Sequence, residues 1–178
     1  LYRRKWEENF GPTDFSFNRG DVHYVCINNC FFHRGMAYYS PGELRERQVK
    51  WLKQDLALTP KDMKVVLCYH IPFTFGNAPF SKAKPLTNAN EQGHYSSSRL
   101  SLLLSLLKPF KGGYELFCGH THFACNHEIN YQGEDVMEHC HAAACGNIWQ
   151  SNINICGTPN GYYVYSFVGT SISNCYYK

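Results

Sequence analysis

Two segments decide the fold, VVLCYH at residues 65–70 and YELFCGHTH at residues 114–122. Each begins with a short run of mainly apolar residues, which is typical of a strand that is buried on both faces in a parallel sheet. Both runs lead directly into histidine. Because ligands of open α/β sheets collect at the carboxyl ends of the strands, we expect the histidines of the two segments to face one crevice.

Helical patterns precede both strands. Residues 40–43 have the composition of a helix start, with a hydroxyl residue at the N-cap, proline in the first turn and glutamate three residues later. Apolar residues with helical spacing follow, and the pattern predicts that this helix ends before Pro60. A second helix is predicted to be capped by residues 96–98, to bury a stripe of leucines and to end at Pro109.

The remaining segments favour strands and one long loop. Residues 15–17 and 22–27 are rich in aromatic and β-branched residues and flank a polar stretch around Gly20, which predicts a hairpin. Residues 71–95 contain three prolines and two glycines and are predicted to form a long functional loop. The order of elements, with several further strands at the end, predicts a single α/β domain over residues 1–178 with a sandwich architecture.

The composition excludes several functional classes. Hydrophobic residues make up 44% of the 178 residues and charged residues 17%, so the chain is not of the disordered type. No stretch approaches about 18 uninterrupted apolar residues, so no membrane span is expected. The net charge of +3 is too small to indicate a nucleic-acid partner. Nine cysteines without a Cys-x-x-Cys pair count against a zinc-ribbon or thioredoxin-like protein.

The pair His120 and His122 points to a site rather than to a structural role. A single histidine is more often structural, but a His-x-His pair that follows glycine at a strand end is rare by chance. Side chains alternate on extended backbone, so both imidazoles are predicted to project to the same side. Gly119 is predicted to let the backbone turn just before the pair. Neutral imidazole is a common ligand of zinc, iron and manganese.

These motifs carry a resemblance to a known family. The stretch GHTH at residues 119–122, combined with His70 in CYHIP at residues 68–72, resembles the calcineurin-like metallophosphoesterase superfamily. More narrowly, the chain resembles a bacterial branch in which two accessory domains flank a central phosphoesterase domain. The resemblance covers nearly the whole chain. The supporting segments are residues 10–18, 48–56, 138–146 and 157–162.

The resemblance implies a calcineurin-like sandwich of two mixed sheets flanked by helices, and a hydrolase that acts on a phosphomonoester or phosphodiester substrate. It also implies two metal ions, of iron, manganese or zinc, and three catalytic histidines. His70 and His120 would bind one metal ion and His122 the other. Paired cations suit this chemistry because they neutralise phosphate oxygens, lower the pKa of a bridging water and stabilise the leaving oxygen.

The sequence departs from the family's pattern in one large respect. The family motifs D-x-H, G-D-x-x-D and G-N-H-[DE] are absent, and only Gly20-Asp21 resembles a part of them. The chain therefore resembles the C-terminal part of the core, incomplete at the N-terminus, and we expect the other half and the accessory domains in a parent protein. Since three imidazoles without a bridging carboxylate do not hold a two-metal centre, we expect the chain by itself to be inactive.

Four further residues are candidates for substrate binding, namely His94, Arg99, His139 and His141. Arginine pairs bidentately with phosphate oxygens, although His94 and Arg99 can also be interpreted as solvated loop residues. The other interpretation of His139 and His141 is that they fill a strand or support the metal ligands. Three histidines are interpreted as structural, and these are His23, His33 and His127.

Two other functions are compatible with the sequence. A non-catalytic binding module would keep the scaffold and lack the carboxylate half of the site. A structural zinc protein would use the abundant cysteine and histidine, although short Cys-x-x-Cys spacing is absent. The resembling bacterial branch is often exported, which favours the periplasm or cell envelope over the cytoplasm.

Overall fold

The computed structural model describes residues 2–32, 39–40, 44–73, 97–145, 151–154 and 156–178. None of the helices among these residues is long and apolar enough to cross a membrane. The elements in chain order are α1 (Tyr2–Phe10), β1 (Phe15–Arg19), β2 (Val22–Cys26), β3 (Phe31–Phe32), β4 (Tyr39–Ser40), α2 (Glu46–Leu58), β5 (Lys64–Cys68), α3 (Ser97–Leu107), β6 (Tyr114–Cys118), β7 (Cys125–Tyr131), β8 (Glu134–Cys140), β9 (Tyr163–Val168) and β10 (Ser171–Tyr177).

A six-stranded mixed sheet forms the centre of the fold, with the strand order β1-β2-β5-β6-β8-β7. Strands β2, β5, β6 and β8 run parallel, whereas β1 and β7 are antiparallel to their neighbours at the two edges. The predicted α/β class is therefore confirmed. The carboxyl ends of the four parallel strands share one edge of the sheet, which we call the carboxyl edge.

The hairpin predicted near the N-terminus is present. Strands β1 and β2 pair in antiparallel register, from Phe15 opposite Cys26 to Arg19 opposite Val22. Gly20 occupies the first of the two loop positions with a φ of 59°, which glycine adopts without steric cost. Strand β2 then pairs in parallel with β5, so the residues that follow β2 lie beside the residues that follow β5.

Helices α2 and α3 cover one face of the sheet. Val49, Leu52 and Leu56 of α2 are buried, as their spacing predicted. They join a core that contains the leucines of α3 and alternate residues of the central strands, such as Val65 and Leu67 of β5. Burying one such aliphatic side chain contributes about 2 kcal/mol relative to leaving it in water, so this layer is the main apolar core of the described fold.

The β9–β10 hairpin covers part of the opposite face. Tyr165 of β9 stacks on Phe117 of β6 with ring centroids 4.6 Å apart, and Phe167 meets Tyr24 of β2 edge-on at 6.3 Å. Strand β9 therefore crosses the sheet and begins a second β layer, which is the arrangement of a sandwich. Within the described residues this layer consists of the two strands β9 and β10.

The start of α2 differs from its prediction. The helix begins at Glu46, later than residues 40–43 indicated, and residues 41–43 lie outside the described residues. The side chain of Gln48 accepts the N–H of Arg45 at 2.9 Å, which satisfies a donor that the first turn leaves open. The helix ends before Pro60, as predicted.

Helix α1 was not predicted, because its residues carry charged and aromatic side chains without a continuous apolar stripe. Pairs four residues apart stabilise it instead. Trp6 packs on Phe10 with ring centroids 4.5 Å apart, and Arg4 pairs with Glu8 at 2.9 Å. Of the long loop predicted for residues 71–95, all but the first three lie outside the described residues.

Gly112 lies where the turn before β6 touches the start of β5, and an added Cβ would come within 2.4 Å of the Met63 carbonyl carbon. Because backbone atoms cannot move aside as a flexible side chain can, we expect Gly112→Ala to lower the free energy of unfolding by about 3 kcal/mol. Gly119→Ala is the matched control, since the nearest atom that its Cβ would meet is the His141 carbonyl oxygen at 3.7 Å. Urea unfolding measures both variants, and equal midpoints would contradict the expectation.

Candidate functional site

Four histidines meet in a cavity at the carboxyl edge of the sheet. His70 follows β5, His120 and His122 follow β6, and His141 follows β8. The cavity has a volume of about 390 Å³, and its lining includes these four side chains and the segment 142–145. The structure thus brings together the three histidines predicted as metal ligands and adds His141 to them.

His70 and His120 approach each other through their ring nitrogens. Nε2 of His70 lies 3.2 Å from Nδ1 of His120, and the two rings meet edge-on with centroids 5.0 Å apart. Nitrogen atoms at this separation either share a proton or share a bound ion. The two nitrogen atoms of this pair are therefore close enough to bind one ion together.

Backbone hydrogen bonds hold the two histidine loops side by side. The parallel pairing of β5 and β6 ends with Cys68 opposite Phe117. Beyond that pair, the N–H of Tyr69 donates to the Phe117 carbonyl at 3.0 Å, and the N–H of Gly119 donates to the His70 carbonyl at 3.0 Å. The ladder therefore continues past the strand ends and sets the distance between the two imidazole-bearing segments.

His120 and His122 have positive φ angles of 71° and 60°. The N–H of Thr121 donates to the Gly119 carbonyl at 2.8 Å, so His120 is the central residue of a three-residue γ-turn. The extended backbone predicted for the pair is therefore wrong, and the histidines themselves, rather than Gly119, take the positive φ angles. Such conformations cost about 1–3 kcal/mol for a residue with a Cβ and cluster at functional sites.

The side chains of His70 and His120 are held in the neutral form. Burial, followed by the charge of His122, lowers the pKa of His70 below its ordinary value. Burial also lowers the pKa of His120, and the charges of His70 and His122 act in the same direction. Both imidazoles are therefore neutral at neutral pH, which is the form in which histidine binds a metal ion.

His141 stands between the cavity and the β9–β10 layer. Its Nε2 lies 2.8 Å from the hydroxyl of Tyr165, and its ring packs edge-on against Phe117 with centroids 5.4 Å apart. Burial, and then the charge of His139, lower the pKa of His141 to about 4, although a hydrogen bond to the Cys118 backbone acts in the opposite direction. The neutral ring forms a wall of the cavity that the second layer supports.

His139 lies beside His141 but outside the lining of this cavity, and both rings pack on Phe117. Its Nδ1 is 2.8 Å from Oδ1 of Asn126, and its Nε2 is 3.4 Å from Oε2 of Glu115. In the described part of the chain, the lining of the cavity that holds His70 includes His141 but not His139. Of these two candidate substrate contacts, only His141 therefore shares this cavity with His70.

Some of the remaining candidate residues lie within the described part of the chain and others lie outside it. His94 lies outside the described residues, and so does the Arg99 side chain, although the Arg99 backbone belongs to α3. His23 and His127 are buried, and each lies within hydrogen-bonding distance of a carboxylate, which is consistent with their structural interpretation. His33 lies outside the described residues.

Three buried polar residues near the cavity were missed by sequence reasoning, namely Asn29, Glu138 and Asn154. For Glu138 a signal was available, because it alternates with Val136 and Cys140 and so takes an inward position of β8. Asn29 follows β2 much as His70 follows β5, but nothing in the sequence shows that these strands are neighbours. Asn154 has no sequence signal, since its role depends entirely on tertiary contacts.

The described residues contain an incomplete set of metal ligands. Among them, no group of three or more histidine, cysteine, aspartate or glutamate side chains is arranged to hold a metal ion. The described lining of the cavity also contains no carboxylate. His70 and His120 therefore form a pair of potential ligands rather than a complete site.

The C-terminal quarter of the chain matches a known family. Residues 138–178, which include His141 and the β9–β10 layer, match the family model described as the C terminal of calcineurin-like phosphoesterase. These residues are similar to the C-terminal region of calcineurin-like phosphoesterases. The match confirms the predicted superfamily and the assignment to the C-terminal half of the core. Phosphoesterases of this family generally bind metal ions. A comparison with curated proteins found no match.

We expect His120→Gly to be more stable than His120→Ala by about 1 kcal/mol, because glycine adopts a positive φ without the steric cost of a Cβ. Both variants lack the imidazole, so their difference isolates the backbone. The same two substitutions at His139, inside the extended strand β8, are the matched control, and there alanine is expected to be the more stable. Urea unfolding measures all four, and equal stability of the two His120 variants would show that the γ-turn is unstrained.

The stability of the folded chain is expected to fall as the pH drops from 6.5, the ordinary value for histidine, toward the His141 pKa of about 4. In this window the unfolded state binds more protons than the folded state, so acid favours unfolding. His141 accounts for about 1–2 kcal/mol of this loss in the free energy of unfolding, because solvent screens the partly exposed ring. The free energy of unfolding of His141→Gln should depend less steeply on pH than that of the wild type, and parallel curves would contradict this assignment.

Proposed function

We propose that this chain carries the histidine ligands of a metal-dependent phosphoester hydrolase that acts on a phosphomonoester or a phosphodiester. One observation supports the proposal above all, the 3.2 Å approach of His70 Nε2 to His120 Nδ1 in a cavity at the carboxyl edge. Two neutral imidazoles that turn their nitrogens toward each other in a cavity are arranged to share an ion. The match of residues 138–178 to calcineurin-like phosphoesterases supports the same chemistry.

The donor chemistry of this pair fits a metal ion. Nitrogen ligands of a tetrahedral zinc ion lie about 2.0–2.1 Å from the metal and so about 3.3 Å from each other. The two ring nitrogens of His70 and His120 are 3.2 Å apart. Iron and manganese also accept imidazole. In the proposed site His70 and His120 hold one metal ion, and His122 contributes to a second.

Two metal ions, when bound, would neutralise the phosphate oxygens, lower the pKa of a bridging water and stabilise the leaving oxygen. The chain's own residues do the positioning. The continued β5–β6 ladder aligns the loops of His70 and His120, and the γ-turn sets the direction in which His120 leaves the sheet. Burial keeps a lone pair on each ring, and the contact with Tyr165 holds His141 in the cavity wall.

A non-catalytic binding module is the second candidate. It is favoured by the described lining of the cavity, which contains no carboxylate, and by the incomplete ligand set among the described residues. Such a module would bind a phosphoester without hydrolysing it. The two candidates differ in their dependence on metal and on the cavity histidines.

Metal binding tests the proposal. Calorimetric titration of the 178-residue chain with Zn²⁺ is expected to show saturable binding. His70→Ala and His120→Ala should each weaken it by about tenfold or more, since each removes one of two paired ligands. His139→Ala, which removes an imidazole outside the cavity lining, is the control and should change the affinity by less than about twofold. Equal affinities for the wild type and both cavity variants would overturn the proposal.

Hydrolysis assays separate the two candidate functions. With p-nitrophenyl phosphate, bis(p-nitrophenyl) phosphate and Mn²⁺ or Zn²⁺, we expect the chain alone to give no turnover above the rate of the metal alone. Adding a polypeptide that carries the D-x-H, G-D-x-x-D and G-N-H-[DE] motifs should produce turnover that requires His70 and His120. Phosphoester binding that does not depend on metal, and that substitution of His70 or His120 leaves unchanged, would instead support the binding module.

A further inference from the structure

Two buried asparagines hold loops that line the histidine cavity. Asn29 is 0% exposed and Asn154 is 3% exposed. The amide of each side chain pairs with both the N–H and the C=O of one residue in a loop that follows a parallel strand. These residues are Ile71, which follows β5, and Ala143, which follows β8. We call the two side chains the asparagine clamps.

The Asn29 clamp grips the backbone of His70 and its neighbour. Oδ1 of Asn29 accepts the N–H of His70 at 3.1 Å and the N–H of Ile71 at 3.0 Å, while Nδ2 donates to the Ile71 carbonyl at 2.7 Å. These groups lie beyond the end of β5, and the Asn29 side chain supplies their hydrogen-bond partners on this side. The amide therefore replaces a neighbouring strand at the point where His70 leaves the sheet.

The position of Asn29 is itself fixed by the residue before it. The N–H of Asn28 donates to Oδ1 of Asp14 at 2.9 Å, and Nε2 of Gln48 donates to the Asn28 carbonyl at 2.7 Å. Gln48 also donates to the same Asp14 oxygen at 2.7 Å. Because Gln48 is buried in α2, the clamp is anchored to the helix layer and not to a free loop.

Glu138 holds both ends of the same loop. It is 0% exposed, its carboxylate accepts the hydroxyl of Tyr69, and it accepts the N–H of Phe73 at 2.7 Å. The segment 69–73 is therefore tied at both ends and in its middle. His70 is the residue of this segment whose side chain reaches the cavity and His120.

We propose that Asn29 is a positioning residue for His70, which uses the donor and the acceptor of its amide together to keep the His70 imidazole against that of His120. The inference rests on the proposed function only in giving His70 a role as a metal ligand. Aspartate has the same shape, but the oxygen that replaces Nδ2 would face the Ile71 carbonyl oxygen without a hydrogen to donate. Asn29→Asp therefore removes the clamp with little change in volume.

The Asn154 clamp supplies a matched control. Its Oδ1 accepts the N–H of Ala143 at 3.1 Å, and its Nδ2 donates to the Ala143 carbonyl at 3.1 Å and to the Thr158 carbonyl at 3.0 Å. The chemistry is the same as that of Asn29, but this loop follows β8, whereas His70 follows β5. Asn154→Asp should therefore cost stability without moving His70.

The experiment measures ring proximity and metal affinity separately. In the metal-free chain labelled for NMR, we expect a nuclear Overhauser effect between the ring protons of His70 and His120. Asn29→Asp should weaken it about fourfold, as for a displacement of roughly 1 Å, and Asn154→Asp should leave it unchanged. In Zn²⁺ titrations, Asn29→Asp should lower the affinity about tenfold, and Asn154→Asp less than about twofold.

Each outcome decides one point. If Asn29→Asp keeps the nuclear Overhauser effect and the Zn²⁺ affinity of the wild type, the inference is overturned. The inference is also overturned if Asn29→Asp and Asn154→Asp weaken both quantities equally. Absence of Zn²⁺ binding by the wild type, with the NMR result as expected, would refute the metal-ligand role while the positioning role stands. If Asn29→Asp does not fold, hydrogen exchange of the wild type tests the inference instead. The Ile71 amide should exchange as slowly as the amides of β5. Exchange at the rate of a free peptide would overturn the inference.

Discussion

The hydrogen bond from the Gly119 N–H to the His70 carbonyl, 3.0 Å long, is the contact on which the candidate site depends. It extends the parallel ladder of β5 and β6 into two segments that no longer have strand conformation. Because it joins the residue before His120 to the backbone of His70, it sets the spacing of the two backbone segments that carry the imidazoles. The geometry of the pair is therefore coupled to the stability of the central sheet.

Buried polar groups complete what the ladder begins. Glu138 is buried in β8, where an unpaired carboxylate would be strongly destabilising. Its partners come from two segments, Tyr69 and Phe73 from the loop after β5 and His127 from β7. These partners meet only in the native arrangement, so the network favours a single conformation of the loop that carries His70. The strained backbone of His120 is tolerated for the same reason, since the surrounding contacts outweigh its cost.

Local patterns predicted most of the architecture. The apolar runs that became β5 and β6, the end of α2 before Pro60 and the hairpin at Gly20 depend on residues close together in the chain, so the sequence shows them directly. The start of α2 was misplaced because the Gln48 side chain, rather than the hydroxyl and proline signals, satisfies its first turn. The γ-turn at His120 was missed because strand alternation was extended past Cys118, where the ladder already bends.

The sequence by itself determined the order β1, β2, α2, β5, α3 and β6, the histidines at two strand ends and the likeness to metallophosphoesterases, since all three depend on short contiguous motifs. Only the tertiary structure decided that His141 joins the cavity while His139 does not, and that Asn29 and Glu138 hold the loop of His70. Such contacts join residues about 40 to 70 positions apart. They exist because strand pairing and burial bring these groups together, and no local pattern encodes which strands become neighbours.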